Sequence, residues 1–163
     1  MKGAESRGGE AEGGADGAAG MTSPPSPSLG GIRIVVVDDE DDVRELLVDI
    51  LRSHGAHVES AASARAALLL LRTSRPDVLV TDIAMPKEDG FWLIREVRAL
   101  SPAEGGRVSV LAVSGHMSAG DRHRLTAAGF DELMEKPVDL QKFCETVSRL
   151  GASARITSRW SLE

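Results

Sequence analysis

The sequence predicts an α/β fold in which helices cover both faces of one open, parallel β-sheet. Short apolar runs rich in β-branched residues recur along the chain and are typical of buried strands. Between them lie segments whose apolar residues have the spacing of an amphipathic helix. Strands that alternate with helices form parallel sheets, because each helix provides the crossover to the next strand.

Five strands and five helices are predicted. The strands are Ile32–Val37, His57–Ser60, Val78–Thr81, Val108–Val113 and Asp131–Glu135. The first helix has an apolar stripe from Val43 to Leu51, and "SHG" ends it. Ser63 is the expected N-cap of the second helix, which runs to Arg72. The other three helices are indicated around 91–97, over 121–128 and over 140–150.

The residues at the strand ends are the candidate functional residues. Right-handed crossovers and short loops leave few topologies for five βα units, and the doubly wound, flavodoxin-like order 2-1-3-4-5 fits best. In such sheets ligands bind beyond the carboxyl ends of the strands. Those ends carry Asp38 and Asp39 after the first strand, Asp82 after the third, Ser114 after the fourth and Lys136 after the fifth.

Three carboxylates at one edge of a sheet repel one another, so a positive charge is expected among them. The alternative is that most of them are solvated. Mg²⁺ is commonly held by one or two carboxylates, a carbonyl and waters, which is the chemistry available at this edge. The next three acids, residues 40–42, fall at the start of the first helix. There we expect them to face solvent and to favour the positive helix N-terminus.

Composition sets the domain boundaries. The chain has 163 residues, enough for one domain with some spare length. Residues 1–31 are rich in Gly, Ala, Ser, Pro and Glu and are predicted to form a disordered tail. The folded domain is predicted over 32–150, and residues 151–163 are predicted to be a short polar tail.

Charge, hydropathy and cysteine content exclude several classes of function. No apolar run reaches the roughly 18 residues that a membrane span needs, and the N-terminus lacks the apolar segment of a secretory signal. The net charge is −6 without a basic cluster, which argues against direct binding of nucleic acid. Cys144 is the single cysteine, so it forms no internal disulfide and is expected to pack in the core.

Five segments resemble one family. In order and spacing, "IRIVVVDDEDDVRELL", "RPDVLVTDIAMPKEDGFWLIREVRAL", "VSVLAVSGH", "AAGF" and "LMEKPVDL" are similar to the receiver (phosphoacceptor) domain of bacterial two-component response regulators. The resemblance covers about 32–150. This family is itself a standard example of the 2-1-3-4-5 order, so the order is not an independent result.

The resemblance implies a metal-assisted phosphoacceptor. Asp82 is implied as the nucleophile that takes a phosphoryl group from a partner's phosphohistidine. Asp39 is implied as a direct Mg²⁺ ligand together with Asp82, and Asp38 acts mainly through a bound water. The backbone carbonyl of Ala84 completes the implied protein ligands.

It also implies which groups contact the phosphoryl oxygens. Ser114 would donate its hydroxyl, and Lys136 would contribute its ammonium. The bond between Lys136 and Pro137 is expected to be cis. His116 is a further candidate for the border of the phosphoryl entrance. Many family members carry Tyr or Phe where this chain has Leu133, and we expect this leucine to be buried.

The implied function is signalling rather than classical enzymatic turnover. The domain would catalyse its own phosphotransfer and dephosphorylation in the cytoplasm, away from membranes. The implied donor is a histidine kinase or a histidine phosphotransfer protein. The 13 residues after Leu150 hold no output domain, so the implied readout is a downstream protein effector.

Two alternatives stay open at this point. Asp39 to Val43 matches the DxDx[TV] pattern of haloacid-dehalogenase-like phosphatases, which would make Asp39 the nucleophile. That family leaves Asp82 unexplained, and this core is short for such an enzyme. The other alternative is a pseudo-receiver that binds partners without being phosphorylated. The presence of all five site residues argues against it.

Overall fold

A computed structural model describes residues 27–115 and 117–157, with side chains up to residue 154. Its five strands are parallel and lie in the order β2-β1-β3-β4-β5, which confirms the predicted flavodoxin-like fold. They are β1 (Arg33–Val37), β2 (His57–Ala61), β3 (Val78–Asp82), β4 (Ser109–Ser114) and β5 (Glu132–Glu135). Most of the predicted N-terminal tail, His116 and residues 158–163 lie outside the described residues.

Five α-helices connect and follow the strands, as predicted. They are α1 (Asp41–Ser53), α2 (Ala64–Ser74), α3 (Gly90–Arg98), α4 (Ala119–Ala128) and α5 (Leu140–Thr157), with a 3₁₀ turn at Pro102–Glu104. The Ser63 hydroxyl accepts a hydrogen bond from the Ala66 N–H at 3.2 Å, which confirms the predicted N-cap of α2. Within the described part of the chain, no helix is long and apolar enough to span a membrane.

The sheet separates two apolar layers. Ile34 and Val36 of β1 face the layer formed with α1 and α5, while Val35 and Val37 face the layer formed with α2, α3 and α4. A strand buried on both faces needs apolar residues at every position, which explains the continuous "IVVV" run. Cys144 is buried in the first of these layers, as expected.

The ordered domain extends beyond the predicted boundaries at both ends. Leu29 is fully buried in the α1/α5 layer, and its N–H donates to the His54 carbonyl at 2.8 Å. At the other end α5 continues to Thr157, seven residues past the predicted boundary at 150. Gly151 lies against Ile32, where an added Cβ would come within 2.7 Å of the isoleucine Cδ1. The glycine therefore permits a close helix–chain contact that the hydrophobic pattern does not reveal.

Candidate functional site

The ends of β1 and β3 bring three carboxylates together. The two strands pair directly, Asp38 and Asp39 follow β1, and Asp82 is the last residue of β3. Each of the three residues offers one oxygen, and these oxygens all lie within 4.8 Å of one another. Asp38 and Asp82 are buried and Asp39 is half-buried. The cluster presents the hard oxygen ligands that a divalent cation such as Mg²⁺ prefers.

Lys136 places an ammonium beside this cluster. Its Nζ lies 3.3 Å from Oδ2 of Asp38, 3.6 Å from Oδ1 of Asp82 and 3.8 Å from Oε1 of Glu40. The backbone N–H of Lys136 donates to the Ser114 carbonyl at 2.7 Å, so the end of β5 is tied to the end of β4. The bond to Pro137 is cis, as the resemblance implies.

Burial and charge shift the acid–base properties of this group. Burial raises the pKa of Asp82, and the charges of Asp38 and Asp39 add to this, while Lys136 and the Ile83 amide oppose it. For Lys136, burial alone favours the neutral amine. The carboxylates of Asp82 and Asp38 outweigh burial and raise the pKa of Lys136 above its ordinary value. The lysine therefore stays charged, and burial beside other carboxylates disfavours the ionised form of Asp82.

The loop after β3 is held close to Asp82. The Ile83 N–H donates to Oδ1 of Asp82 at 2.8 Å, and the Gly90 N–H donates to the Ile83 carbonyl at 2.8 Å. A Cβ on Gly90 would lie 2.7 Å from the Asp82 carbonyl oxygen, so only glycine allows this approach. Ala84 is exposed in the same loop.

Ser114 ends β4, the other neighbour of β3. Val113 is the residue in register with Asp82, so Ser114 lies one residue further toward the same edge of the sheet, where it is buried. Leu133 on β5 is half-buried against the α2/α3/α4 layer rather than fully buried as expected. A strand at the edge of the sheet has a neighbour on one side only, which leaves this side chain partly open.

Two contacts near the site escaped the sequence reasoning. Glu40 is exposed, as predicted, and in addition its N–H donates to Oδ1 of Asp38 at 2.9 Å and its carboxylate reaches Lys136. The hydrophobic pattern gives no role to Arg44, and its Nη1 donates to the Asp38 backbone carbonyl at 2.7 Å. The spacing of Asp41 and Arg44 at i and i+3 was the available signal, because such residues face each other on a helix. Asp41 and Asp42 are exposed in the first turn of α1, as predicted.

Residues 34–148 match the family model of the response regulator receiver domain. The chain belongs to this family. Receiver domains are signalling domains of two-component systems rather than classical enzymes. The phosphatase alternative also loses its basis, because Asp41, which its motif would place in the site, is exposed and paired with Arg44.

Relatives of this receiver domain differ in length. An uncharacterized 14.6 kDa protein of Leptolyngbya boryana is 38% identical over 124 residues, which cover 72% of this chain and 93% of that protein. The response regulator MprA of Mycolicibacterium vanbaalenii is 35% identical over 127 residues, which cover 78% of this chain and 52% of MprA. The chain thus spans about half the length of the MprA relatives it matches.

Solved receiver domains share the fold. The receiver domain of the sensor histidine kinase PA1611 from Pseudomonas aeruginosa PAO1 is 27% identical, with a TM-score of 0.68. The match covers 76% of this chain and 99% of that domain. That structure is described with a magnesium ion coordinated in its active site cleft.

A groove runs beside the site on the α1 side. It has a volume of about 470 Å³ and lies next to Lys136. Leu46, which is 53% exposed, contributes to it from α1. The remaining lining residues are also apolar: Val43, Leu47, Pro137, Val138 and Leu140. The groove is therefore mostly apolar, although it lies directly beside a charged cluster.

Proposed function

We propose that this receiver domain accepts a phosphoryl group from a phosphohistidine onto Asp82, with Mg²⁺ as the metal ion, and signals through a protein partner. The observation that carries the proposal is the position of Asp82. It is a buried carboxylate at a strand end, with two further carboxylates and one ammonium around it. A carboxylate nucleophile that attacks a phosphoryl group needs positive charge beside it, here the Lys136 ammonium and the proposed Mg²⁺, because both reactants are anionic.

The donor set fits Mg²⁺. All three converging side chains provide oxygen, and their atoms lie within 4.8 Å of one another. We assign Asp39 and Asp82 as direct ligands, the Ala84 carbonyl as the backbone ligand and Asp38 as a ligand through water. When bound, Mg²⁺ neutralises carboxylate and phosphoryl oxygens and so lowers the repulsion between nucleophile and donor.

The transfer is a substitution at phosphorus. A carboxylate oxygen of Asp82 forms the new O–P bond, and the N–P bond of the phosphohistidine breaks with its electron pair on the imidazole nitrogen. Lys136 holds its ammonium 3.6 Å from Asp82 Oδ1 before transfer and follows the charge to the phosphoryl group afterwards. Ser114 donates its hydroxyl to a phosphoryl oxygen. The small, exposed Ala84 leaves room for the water that later hydrolyses the acyl phosphate.

The groove beside Lys136 is our assignment for the docking surface of the donor. A histidine-bearing helix that packs its apolar face against Leu46 and Val138 would lie next to the site. The donor is then a histidine kinase or a histidine phosphotransfer protein. Because these proteins are phosphorylated from ATP inside the cell, we place the reaction in the cytoplasm.

The test is phosphorylation by acetyl phosphate in the presence of Mg²⁺, followed by intact-protein mass spectrometry and peptide mapping. We expect one added phosphoryl group on Asp82 and none in Asp82→Asn. Asp77→Asn is the matched control, because Asp77 precedes the same strand and its carboxylate accepts from the Arg33 N–H, at the opposite end of β3. Labelling on Asp39 would instead support a phosphatase-like nucleophile. A folded chain that takes no phosphoryl group from any donor would be a pseudo-receiver.

A further inference from the structure

Arg44 reaches from α1 back to the end of β1. Its Nη1 donates to the backbone carbonyl of Asp38 at 2.7 Å, and its Nη2 lies 2.6 Å from Oδ1 of Asp41. The side chain is only 16% exposed, although it belongs to a surface helix. A guanidinium that is mostly buried and donates to a backbone carbonyl fixes the position of that carbonyl.

This hydrogen bond completes the anchoring of Asp38. The Asp38 N–H donates to the Ala61 carbonyl, one carboxylate oxygen accepts from the Glu40 N–H, and the other lies beside the Lys136 ammonium. Only the backbone carbonyl remains, and Arg44 binds it. Every polar group of the residue that precedes Asp39 is therefore held.

The Asp38 carbonyl belongs to the peptide unit that leads into Asp39. A peptide unit is planar, so the carbonyl, the Asp39 nitrogen and the Asp39 Cα move together. Rotation about the Asp38 Cα–C bond would turn this plane and carry the Asp39 Cα with it, which would move the Asp39 carboxylate away from Asp38 and Asp82. Within the described residues, no hydrogen bond is found for the Asp39 carboxylate itself, so its direction depends on the backbone.

A cation this close to a metal site would ordinarily oppose metal binding. Asp41 removes much of that penalty, because its carboxylate pairs with the Arg44 guanidinium at 2.6 Å. The Arg44–Asp41 pair therefore has almost no net charge near the carboxylate cluster, while Arg44 still donates its hydrogen bond to the Asp38 carbonyl. Asp42, the adjacent acid, is exposed and makes no such contact with the part of the chain that the structure describes.

We propose that Arg44, held by Asp41, is a positioning residue that sets the Asp38–Asp39 peptide plane and thereby aims the Asp39 carboxylate at the divalent cation. The inference rests on the Mg²⁺ site assigned under the proposed function. It gives Asp41 a role distinct from that of Asp42, although both are exposed acids in the same helical turn.

The test compares Arg44→Gln, Arg44→Lys and Arg52→Gln in the full chain. Arg52 is the matched control, because it lies on the same helix and also donates to a strand carbonyl, that of Val58 at 2.9 Å, away from the site. Mg²⁺ affinity is measured by calorimetry. Exchange of the Glu40 amide is measured by NMR without metal, and the phosphorylation rate is measured over a range of Mg²⁺ concentrations.

We expect Arg44→Gln to lower Mg²⁺ affinity by about tenfold, the low end for groups that orient metal ligands. Its Glu40 amide should exchange faster without metal, and saturating Mg²⁺ should restore most of the phosphorylation rate. Arg44→Lys keeps the charge but not the forked geometry, so its affinity should fall between Gln and wild type. Arg52→Gln should leave the Mg²⁺ affinity close to that of the wild type, because it moves no metal ligand. Asp41→Asn should weaken Mg²⁺ binding more than Asp42→Asn.

Other outcomes overturn the inference. Equal losses in Arg44→Gln and Arg52→Gln would show general loosening of α1, and unchanged or tighter Mg²⁺ binding in Arg44→Gln would show that its charge matters more than its geometry. If the wild-type chain binds no Mg²⁺, the proposed metal site fails. The exchange of the Glu40 amide still reports separately whether Arg44 holds the turn.

Discussion

Removal of the Lys136 ammonium gives the sharpest stability test of the site. In Lys136→Met the side chain keeps its approximate length but loses its charge. Two buried carboxylates at 3.3 and 3.6 Å and one exposed carboxylate at 3.8 Å then lack their shared cation. Each such contact attracts by about 4–5 kcal/mol at an effective dielectric constant of about 20, and desolvation offsets most of this.

Substitutions at buried ion pairs in other proteins indicate how large the net loss of stability should be. Removing one partner of a buried ion pair costs about 3–5 kcal/mol, because the other charge is left without compensation. The Lys136 side chain is 20% exposed and Glu40 is largely exposed, so we expect a loss at the low end of that range of about 3–5 kcal/mol. We therefore expect the free energy of unfolding to fall by about 3 kcal/mol in metal-free buffer.

Addition of Mg²⁺ should shrink this difference. A bound cation replaces the missing positive charge, and it stabilises the folded state by about 2.7 kcal/mol at a hundredfold excess over its dissociation constant. Urea denaturation with EDTA and with Mg²⁺ measures both values, and Lys142→Met on the exposed face of α5 is the control. A loss below about 1 kcal/mol with EDTA, the size of a surface substitution, would refute this account. So would a loss that Mg²⁺ leaves unchanged.

Three further predictions concern the rest of the domain. Ser109→Ala should raise the free energy of unfolding, measured in urea, by about 1 kcal/mol, because the buried Ser109 hydroxyl has no hydrogen-bond partner within the described residues. A lower free energy of unfolding would mean that the hydroxyl forms a hydrogen bond to a water molecule. Gly151→Ala should lower the free energy of unfolding by about 1–3 kcal/mol, because the added methyl group would overlap with Ile32. The control Gly120→Ala, at an exposed position of α4, should raise it by up to about 1 kcal/mol. Equal effects of the two substitutions would contradict this packing. Beryllofluoride, a phosphoryl mimic, should change amide exchange most in α4, which buries only Leu125; a larger change in β5 would contradict this.

The sheet and the site carboxylates were predictable because their signals are local. A strand buried on both faces is apolar throughout, and acids directly after such a strand must lie at its carboxyl end. Once the strand order is known, Asp38, Asp39, Asp82 and Lys136 have to meet. Their convergence in the structure follows from topology more than from side-chain detail.

The features that escaped prediction depend on contacts between distant parts of the chain. α5 continues through Gly151 and Ala154, small residues that hydrophobic periodicity ignores but that let the helix approach its neighbours. Leu29 is buried although it lies in a Gly/Ser/Pro-rich stretch that indicates disorder. The sequence pattern predicts Arg44 to be an ordinary surface residue of an amphipathic helix. The pattern does not show which backbone carbonyl lies within its reach in the folded chain.

The acids of the site have an electrostatic cost to the fold, because buried carboxylates lose solvation and repel one another. Burial raises the pKa of Asp82, the proposed nucleophile, because its ionised carboxylate is poorly solvated there. Lys136 relieves part of this, while the Arg44–Asp41 pair fixes the backbone without adding much net charge. The cluster thus carries more negative charge than Lys136 balances, which favours the proposed binding of a cation. A site that was fully neutralised by protein groups would stabilise the fold more, but it would bind the metal ion less tightly. Residues that lower the stability of the fold in this way are characteristic of functional sites.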